Sequence, residues 1–279
     1  MKIFRKIKEL KTHLRPLQYS GKQIGFVPTM GYLHRGHLSL IEASVKENDI
    51  TVISIFVNPT QFGPNEDLAS YPRDEKRDIE LAEEVGAKVA FIPTPEEMYD
   101  NALTTVKVEH LTQQLCGLSR PTHFDGVTTV VTKLFNIVHP DQAYFGEKDA
   151  QQAIVIEKMV KDLDMDVTIN VCPIVREEDG LAMSSRNVYL SEQERKEATM
   201  LRKSLLEAKE QIDGGERDAL LIKRNIIDRI NNNTSGEVDY VEILNKETLE
   251  PIERIEGKTL IAMAVKFSKA RLIDNILIE

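Results

Sequence analysis

Short apolar runs alternate with amphipathic stretches over the first 180 residues, and this alternation limits the possible folds more than any other feature of the chain. Five runs have the length and composition of strands, at residues 23–27, 50–57, 88–92, 142–145 and 166–171. Helical spacing of apolar residues occurs between or after them, at residues 38–45, 74–85, 127–138 and 150–163. A strand, a helix and a further strand imply a right-handed crossover. The sequence therefore predicts an α/β fold with a parallel sheet and helices on both of its faces.

The pattern changes in the last third of the chain. Ser191, with Glu194 three positions later, is a capping-box signal and predicts a long charged helix that ends near Gly214. Another helix and three strand-like runs follow, at residues 218–230, 238–244, 258–265 and 271–278. We interpret this part as a smaller α+β domain and divide the chain into residues 1–180 and 181–279.

Charge and composition exclude several classes of protein. The net charge of the 279 residues is −9, so a surface devoted to nucleic acid is not expected. No apolar run is long enough to cross a bilayer, and residues 1–15 have the apolar spacing of an amphipathic helix rather than of a signal peptide. Cys116 and Cys172 lack the spacing of metal ligands and are typical of a reducing compartment. We expect a protein of a reducing compartment that binds neither nucleic acid nor membrane.

A polar turn with two histidines follows the first predicted strand. Residues 29–37 read TMGYLHRGH, and the free N–H groups of the helix that begins there can face phosphate oxygens. His34 and His37 are three positions apart and can lie on one side of that helix. Imidazole donates hydrogen bonds to phosphate and can carry charge near neutral pH. The segment is typical of a phosphate site.

Two further segments offer donors for phosphate oxygens. Residues 146–149 read GEKD between a predicted strand and a predicted helix, so Lys148 lies at the same edge of the sheet. Residues 183–187 read MSSRN, and their hydroxyl groups and guanidinium suit a polyphosphate. Ligands of open α/β sheets bind beyond the carboxyl ends of the strands. The three segments together predict one ATP site.

Other polar residues near strand ends are candidates for a second ligand or a metal. Asn58, Gln61 and Gln152 are neutral amides that suit a hydroxyl or a carboxylate, and each is also typical of a turn or a helix cap. Arg120 is a candidate for an anionic group and equally for a surface ion pair. Asp78 is a candidate for reaching a magnesium ion through water, although its charged amphipathic helix favours a solvated role.

None of these segments contains a covalent nucleophile. The chain also lacks the sequence patterns of a P-loop, a dinucleotide site, a nucleophile elbow and a zinc protease. Histidines, a lysine, hydroxyls and amides around ATP suit adenylyl transfer, in which positioning and charge stabilisation at the α-phosphate supply most of the catalysis.

Seven segments together resemble the pantothenate synthetase family. They are PTMGYLHRGH at residues 28–37, FVNPTQF at 56–62, YPR at 71–73, HFDGV at 123–127, FGEKDAQQ at 145–152, DGLAMSSRN at 179–187 and VKFSKARLIDN at 265–275. The His-x-Gly-His element alone indicates only the wider nucleotidyltransferase superfamily, which includes class I aminoacyl-tRNA synthetases. The joint set is specific to the one family and extends over nearly the whole chain.

The resemblance implies an ATP-dependent condensation of pantoate with β-alanine that yields pantothenate, AMP and pyrophosphate through an enzyme-bound pantoyl adenylate. It implies that ATP contacts Thr29, Met30, Gly31, His34, Gly36, His37, Gly146, Glu147, Lys148, Asp149, Val175, Met183, Ser184, Ser185 and Arg186. In this interpretation His37 is the proton donor, and His34 and Lys148 stabilise phosphate charge. Gln61 and Gln152 hold pantoate, and Gln61 also lies near β-alanine.

The resemblance further implies a Rossmann-like first domain, a smaller second domain that closes over ATP, dependence on Mg²⁺, a cytoplasmic location and a homodimer. Thr122 departs from the family pattern, which has glycine before His123, and this bears on the role of Arg120. Two alternatives stay open. One is an adenylyltransferase that acts on a phosphorylated acceptor, and the other is a non-catalytic ATP-binding sensor.

Overall fold

The computed structural model describes residues 1–64 and 66–279 and contains the expected parallel sheet. Its strands are β1 (Lys2–Phe4), β2 (Ile24–Thr29), β3 (Ile50–Ile55), β4 (Val89–Phe91), β5 (Gln142–Gly146) and β6 (Thr168–Cys172). They lie in the order β1-β4-β3-β2-β5-β6, and each neighbouring pair is parallel. From β4 to β6 this is the Rossmann-like order. The predicted fold class is confirmed.

Helices cover both faces of this sheet. They are α1 (Ile7–Tyr19), α2 (Arg35–Glu47), α3 (Glu75–Glu84), α4 (Pro95–Tyr99), α5 (Leu115–Ser119), α6 (His123–Val138) and α7 (Ala150–Asp162). Phe26 of β2 packs in a core with α1, α6 and α7, whereas the adjacent Val27 packs in a second core with α2 and α3. Successive side chains of a strand point to opposite faces, so β2 is buried on both sides and reads as a continuous apolar run.

A smaller antiparallel unit follows. It contains α8 (Glu192–Glu197), α9 (Thr199–Asp213), α10 (Ala219–Asn233), β7 (Glu237–Asn245), β8 (Thr259–Lys266) and β9 (Arg271–Ile278), with the strands in the order β7-β8-β9. Ile261 and Met263 of β8 pack with the apolar residues of α9 and α10, and the alternate residues Leu260 and Ala262 join the core of the first sheet. The expected α+β unit is present. Its division from the first domain at residue 181 stays a prediction.

Two of the predicted helices have other bounds. The helix expected over residues 1–15 is wrong in its first part, because Lys2 to Phe4 pair with β4 and the helix begins only at Ile7. A three-residue edge strand is too short to show an alternating pattern. The single helix expected between Ser191 and Gly214 is divided at Ala198 into α8 and α9.

Helix α6 begins four residues before the predicted start, at His123. Its first turn contains Gly126, which packs against the segment after β3. A Cβ atom at Gly126 would lie 2.5 Å from the carbonyl oxygen of Thr60 and 2.6 Å from the amide nitrogen of Gln61. Only glycine permits this approach. Gly126 is therefore a packing residue within a helix.

The sheet opens between β2 and β5. Strand β2 pairs with β3 as far as Thr29, but its pairing with β5 comprises only Gly25 and Phe26. Pro28 has no N–H group to donate to a neighbouring strand. The strand order reverses at this point, where open α/β sheets bind their ligands. None of the described helices is long and apolar enough to span a membrane.

Candidate active site

A cavity of about 230 Å³ lies at the carboxyl ends of β2, β3 and β5. Seventeen of the predicted site residues line it: Thr29, Met30, His34, Gly36, His37, Asn58, Gln61, Arg120, Gly146, Lys148, Asp149, Gln152, Val175, Met183, Ser184, Ser185 and Arg186. The predicted residues Gly31, Asp78 and Glu147, all in the described part of the chain, lie outside this lining. A second cavity of about 630 Å³ adjoins the first and continues to β7, β8 and β9.

The two histidines form the start of α2. His34 is the N-cap residue, and its Nδ1 atom accepts the N–H of Gly36 at 3.1 Å. The Nδ1 atom of His37 accepts the backbone N–H of His34 at 3.3 Å, so the two imidazoles replace the Ser and Glu of an ordinary capping box. Their ring centroids are 4.0 Å apart. Because Nδ1 of each ring is an acceptor, each neutral ring carries its proton on Nε2.

Both imidazoles are neutral at neutral pH in this structure. Burial, the neighbouring His37 and then Lys148 lower the pKa of His34 to about 2. Burial and then Lys148 lower the pKa of His37 to about 4. Imidazole can carry charge near neutral pH, but the surroundings of these two rings favour the uncharged form. The site instead presents two neutral Nε2–H donors beside one ammonium group, and the charge of a bound polyphosphate would raise both pKa values.

The lowered pKa of His37 predicts a pH dependence of stability. Between its folded value of about 4 and its ordinary value of 6.5, the unfolded chain binds a proton that the folded chain does not. The free energy of unfolding therefore falls as the pH is lowered through this window, by at most about 1.4 kcal/mol per pH unit. Urea unfolding between pH 6.5 and 5 should show a steeper decline for the original chain than for His37→Gln. Equal slopes would contradict the burial of a neutral His37.

Asp78 holds the turn that leads into the histidines. Its two carboxylate oxygens accept the N–H groups of Tyr32 at 2.7 Å and of Leu33 at 2.6 Å. Tyr32 has a φ of 50° and Gly31 a φ of 85°, so the turn passes through the left-handed region. The side chain of Asp78 is 1% exposed, and the interpretation of it as a solvated residue is wrong. The same contacts give the predicted magnesium role no support, because the oxygens face the backbone.

Lys148 lies opposite the histidines on a one-turn 3-10 helix between β5 and α7, residues Glu147–Asp149. Its side chain is 20% exposed, and its Nζ atom is 3.9 Å from the Asp149 carboxylate. This distance leaves the ammonium group free to approach an anion, because a weak, partly exposed pair is easily exchanged. Its influence on the pKa of both histidines shows that the three groups share one electrostatic environment.

Arg186 is held by a counter-ion at the mouth of the cavity. Its Nε and Nη2 atoms donate to the two carboxylate oxygens of Asp67, each at 3.0 Å, and the guanidinium lies 5.6 Å from the centre of the Tyr71 ring. The hydroxyl groups of Tyr71 and the buried Ser185 are 3.3 Å apart. Ser184 caps its own turn by accepting the N–H of Arg186. The arginine is therefore positioned, and Asp67 competes with a phosphate for two of its donors.

Removal of this counter-ion should strengthen ATP binding. In Asp67→Asn the ion pair with Arg186 is lost and the guanidinium is free to pair with phosphate. Since the pair is about one quarter exposed, we expect the Kd for ATP to fall only about 2- to 5-fold. Isothermal titration calorimetry measures it, with Asp213→Asn on α9, which removes an exposed lysine pair, as the matched control. Unchanged or weaker binding in Asp67→Asn would contradict the role of Asp67 as a competitor.

Three neutral amides, those of Asn58, Gln61 and Gln152, also line the cavity. The Nδ2 group of Asn58 donates to the Oε1 atom of Gln61 and to the carbonyl of Gly126, each at 3.1 Å, and its Oδ1 accepts the hydroxyl of Tyr99 at 2.8 Å. Asn58 is 1% exposed and fully engaged, so it orients Gln61 and has no free group for a substrate. Gln61 directs its Nε2 group at the Met30 sulfur. Gln152 lines both cavities.

Arg120 forms an internal ion pair in this structure. Its guanidinium makes a two-pronged contact with Glu66, with Nε 2.7 Å from Oε1, and also lies 3.3 Å from the Nε2 atom of His123. His123 in turn contacts the carbonyl oxygen of Gln61 through Nδ1 at 2.9 Å. Burial and then Arg120 lower the pKa of His123 to about 4, so the ring is neutral. Arg120 thus forms an ion pair, one of the two roles considered for it, and it also contacts the carbonyl oxygen of Gln61. Its binding of an anionic group stays a prediction.

The predicted site residues do not include those that neutralise or position other members of the site. Asp67 and Glu66 neutralise the two site arginines, and His123 braces Gln61. Asn275 of β9 donates to the carbonyls of the turn that contains Lys148. Two of these residues could have been found from their place in the sequence. His123 and Asn275 lie inside the segments that carry the family resemblance, although their residue types alone indicate no ligand.

Comparison with known proteins shows which family the chain is similar to. A family model described as pantoate-beta-alanine ligase matches residues 2–277. The pantothenate synthetase of Acetivibrio thermocellus is 60% identical over the full length of both chains. The crystal structure of pantothenate synthetase from Thermus thermophilus is 45% identical and covers 99% of both chains, with a TM-score of 0.94. A pantoate-beta-alanine ligase from Francisella tularensis, complexed with beta-gamma ATP and beta-alanine, is 35% identical over 99% of this chain and 97% of its own, with a TM-score of 0.84.

Proposed function

This chain is an enzyme that belongs to the pantoate-β-alanine ligase family, and we propose that it condenses pantoate with β-alanine while converting ATP to AMP and pyrophosphate. One observation carries the proposal. A single cavity of about 230 Å³ is lined both by phosphate donors, His34, His37 and Lys148, and by the amides of Gln61 and Gln152. This arrangement can hold a carboxylic acid with its carboxylate facing the α-phosphate of ATP. The ligands of the Francisella relative, beta-gamma ATP and beta-alanine, support the same substrates here.

The proposed reaction has two steps at this cavity. A carboxylate oxygen of pantoate attacks the α-phosphorus, the bond to the β-phosphate oxygen breaks and pyrophosphate leaves. Lys148 and the Nε2–H groups of His34 and His37 stabilise the charge that develops on the phosphates. The amine of β-alanine then attacks the acyl carbon, AMP leaves and the amine loses a proton. Gln61 and Gln152 position pantoate. Both steps therefore take place between bound groups rather than between molecules that meet in solution.

The described residues contain no cluster that could hold, through protein ligands alone, the magnesium that the family resemblance implies. Among residues 1–64 and 66–279 there is no group of three or more His, Cys, Asp or Glu side chains that could hold a metal ion. Asp78 uses both of its oxygens on the backbone. We therefore treat Mg²⁺ as part of the ATP substrate and derive no step through a protein-bound metal. Homodimer formation and a cytoplasmic location also stay predictions.

Product analysis separates this function from its two rivals. The purified protein is incubated with Mg²⁺, ATP, pantoate and β-alanine, and in parallel with a phosphorylated acceptor in place of both acids. We expect an amide product with equal amounts of AMP and pyrophosphate in the first mixture only. Transfer of AMP to the phosphorylated acceptor would indicate an adenylyltransferase. ATP binding without pyrophosphate release would indicate a sensor, and either result would overturn the proposal.

A further inference from the structure

The last strand of the chain contacts the turn that carries Lys148. Asn275 of β9 is 3% exposed, and its Nδ2 group donates to the carbonyl oxygens of Glu147 and Lys148, each at 3.0 Å. Both carbonyls belong to the 3-10 turn that joins β5 to α7. We propose that Asn275 is a positioning residue, which fixes the backbone of Lys148 so that its ammonium group meets the α-phosphate. The inference rests on the function proposed above and assigns to it a residue outside the cavity of the histidines.

The orientation of the Asn275 amide is fixed by its surroundings. Both hydrogen bonds to the turn require donors, and reversal of the amide would place its oxygen against two carbonyl oxygens. The Oδ1 atom is buried and has no hydrogen-bond partner among the described residues. Both donors of Asn275 are therefore directed at the turn that contains Lys148.

Asp274, the residue before Asn275 in β9, contacts a second segment that lines the ATP site. The side chain of Asp274 is 1% exposed and accepts from the two Nη atoms of Arg176 at 2.7 and 2.9 Å. Arg176 also donates to the carbonyl of Gly180 at 3.1 Å, and the N–H of Met183 donates to the carbonyl of Val175 at 3.0 Å. Consecutive residues of one strand therefore connect the turn of Lys148 with the segment that contains Val175 and Met183.

This connection gives the small antiparallel sheet a part in the chemistry of the first domain. A lysine side chain is long, so small shifts of its backbone change where its ammonium group lies. Misplacement of a reacting group by about 1 Å can lower a rate by about 100-fold. Removal of both hydrogen bonds to the turn should act in this way and leave the amides that hold pantoate in place.

A double-mutant cycle tests the inference. The rate of pantoate-dependent pyrophosphate release is measured for the original chain, Asn275→Ala, Lys148→Ala and the double variant. We expect Asn275→Ala to lower the rate roughly 10- to 100-fold with the KM for pantoate nearly unchanged. In the Lys148→Ala background the same change should have little further effect, because the group that Asn275 positions is already gone.

Two controls separate positioning from general destabilisation. Asn245→Ala, at the end of β7, removes an acceptor of two turn N–H groups in the same unit, and it should leave the rate unchanged. If Asn275→Ala does not fold, Asn275→Leu keeps a side chain of similar size that has no donors and adds no charge. Hydrogen exchange of the peptide over residues 145–152 gives a second readout. It should speed up in the Asn275 variant and not in Asn245→Ala, even where the Lys148→Ala rate is too low to measure.

The outcomes are distinct. Near-normal activity of Asn275→Ala, equal losses in both backgrounds, or unchanged exchange over residues 145–152 would each overturn the positioning role. Failure of the original chain to release pyrophosphate with pantoate would instead overturn the proposed function. A non-additive loss together with faster exchange at the Lys148 turn supports the inference.

Discussion

Replacement of Lys148 by alanine will lower the rate of pantoate-dependent pyrophosphate release by about 100-fold or more. Its ammonium group lies 3.9 Å from its nearest carboxylate among the described residues, that of Asp149, whereas Arg120 and Arg186 are paired closely with Glu66 and Asp67. Lys148 is therefore ready to meet the charge that develops at the α-phosphate. The measurement is pyrophosphate release from ATP and pantoate without β-alanine.

His37→Ala should have a similar effect, because it removes a neutral Nε2–H donor from the same place. Lys158→Ala on α7 is the matched control, since it removes an exposed lysine that pairs with Asp162. We expect all three variants to unfold at temperatures close to that of the original chain. Rates near normal in Lys148→Ala or His37→Ala would exclude these residues from the mechanism.

Asp78→Ala will damage both stability and ATP binding. The change leaves the N–H groups of Tyr32 and Leu33 without their acceptor in a turn that passes through the left-handed region at Gly31 and Tyr32. Loss of these partners should lower the free energy of unfolding by about 2 to 4 kcal/mol. The released turn no longer holds His34 and His37 in place, so the Kd for ATP should rise at least about 10-fold. Urea unfolding and calorimetric titration with ATP measure the two effects.

A magnesium titration distinguishes this account from a metal-binding role of Asp78. If the residue were a ligand of the ion, Asp78→Ala would raise the magnesium requirement and leave the stability unchanged. If Asp78 holds the turn, saturating magnesium restores neither the stability nor the ATP affinity of Asp78→Ala. Asp74→Ala is the control from the same helix, because Asp74 caps α3 through the N–H of Arg77. It should lower the free energy of unfolding by only about 1 kcal/mol and leave ATP binding unchanged.

The sequence was sufficient for the architecture where a pattern extended over several residues. The β-branched run of β3 and the helical spacing of α7 both predicted their elements to within a few positions. The errors fall where tertiary contacts decide. Lys2 to Phe4 form a strand only because β4 provides a partner, and α6 extends to His123 because Gly126 packs on the carbonyl of Thr60. Neither contact leaves a periodic signal.

The site was predictable as a set of segments but not as a set of contacts. The position of the three phosphate segments after predicted strands assigned them to one site, and seventeen of the predicted site residues line one cavity of the structure. Charge states were not predictable, because the neutral form of His37 depends on burial and on Lys148. Pairing of Arg186 with Asp67 depends on a loop 119 positions away in the chain. The spacing of residues along the sequence does not show which of them lie close together in the fold.

Asp78 illustrates the limit most clearly. In the sequence it lies among charged residues of an amphipathic helix, which is the usual setting of a solvated carboxylate. In the fold its side chain is buried, and its two carboxylate oxygens accept the backbone N–H groups of Tyr32 and Leu33. A buried carboxylate with two N–H partners is compatible with a charged side chain, but the partners are backbone atoms, and backbone atoms have no sequence signature.

The central claim is that the cavity joins the carboxylate of pantoate to the α-phosphate of ATP. The most direct test uses pantoate labelled with ¹⁸O in its carboxylate, followed by mass analysis of the nucleotide after β-alanine is added. The account predicts one ¹⁸O atom in each AMP released, because a carboxylate oxygen remains on the α-phosphorus when the amine displaces the acyl group. Unlabelled AMP, or ADP with the label in inorganic phosphate, would contradict it.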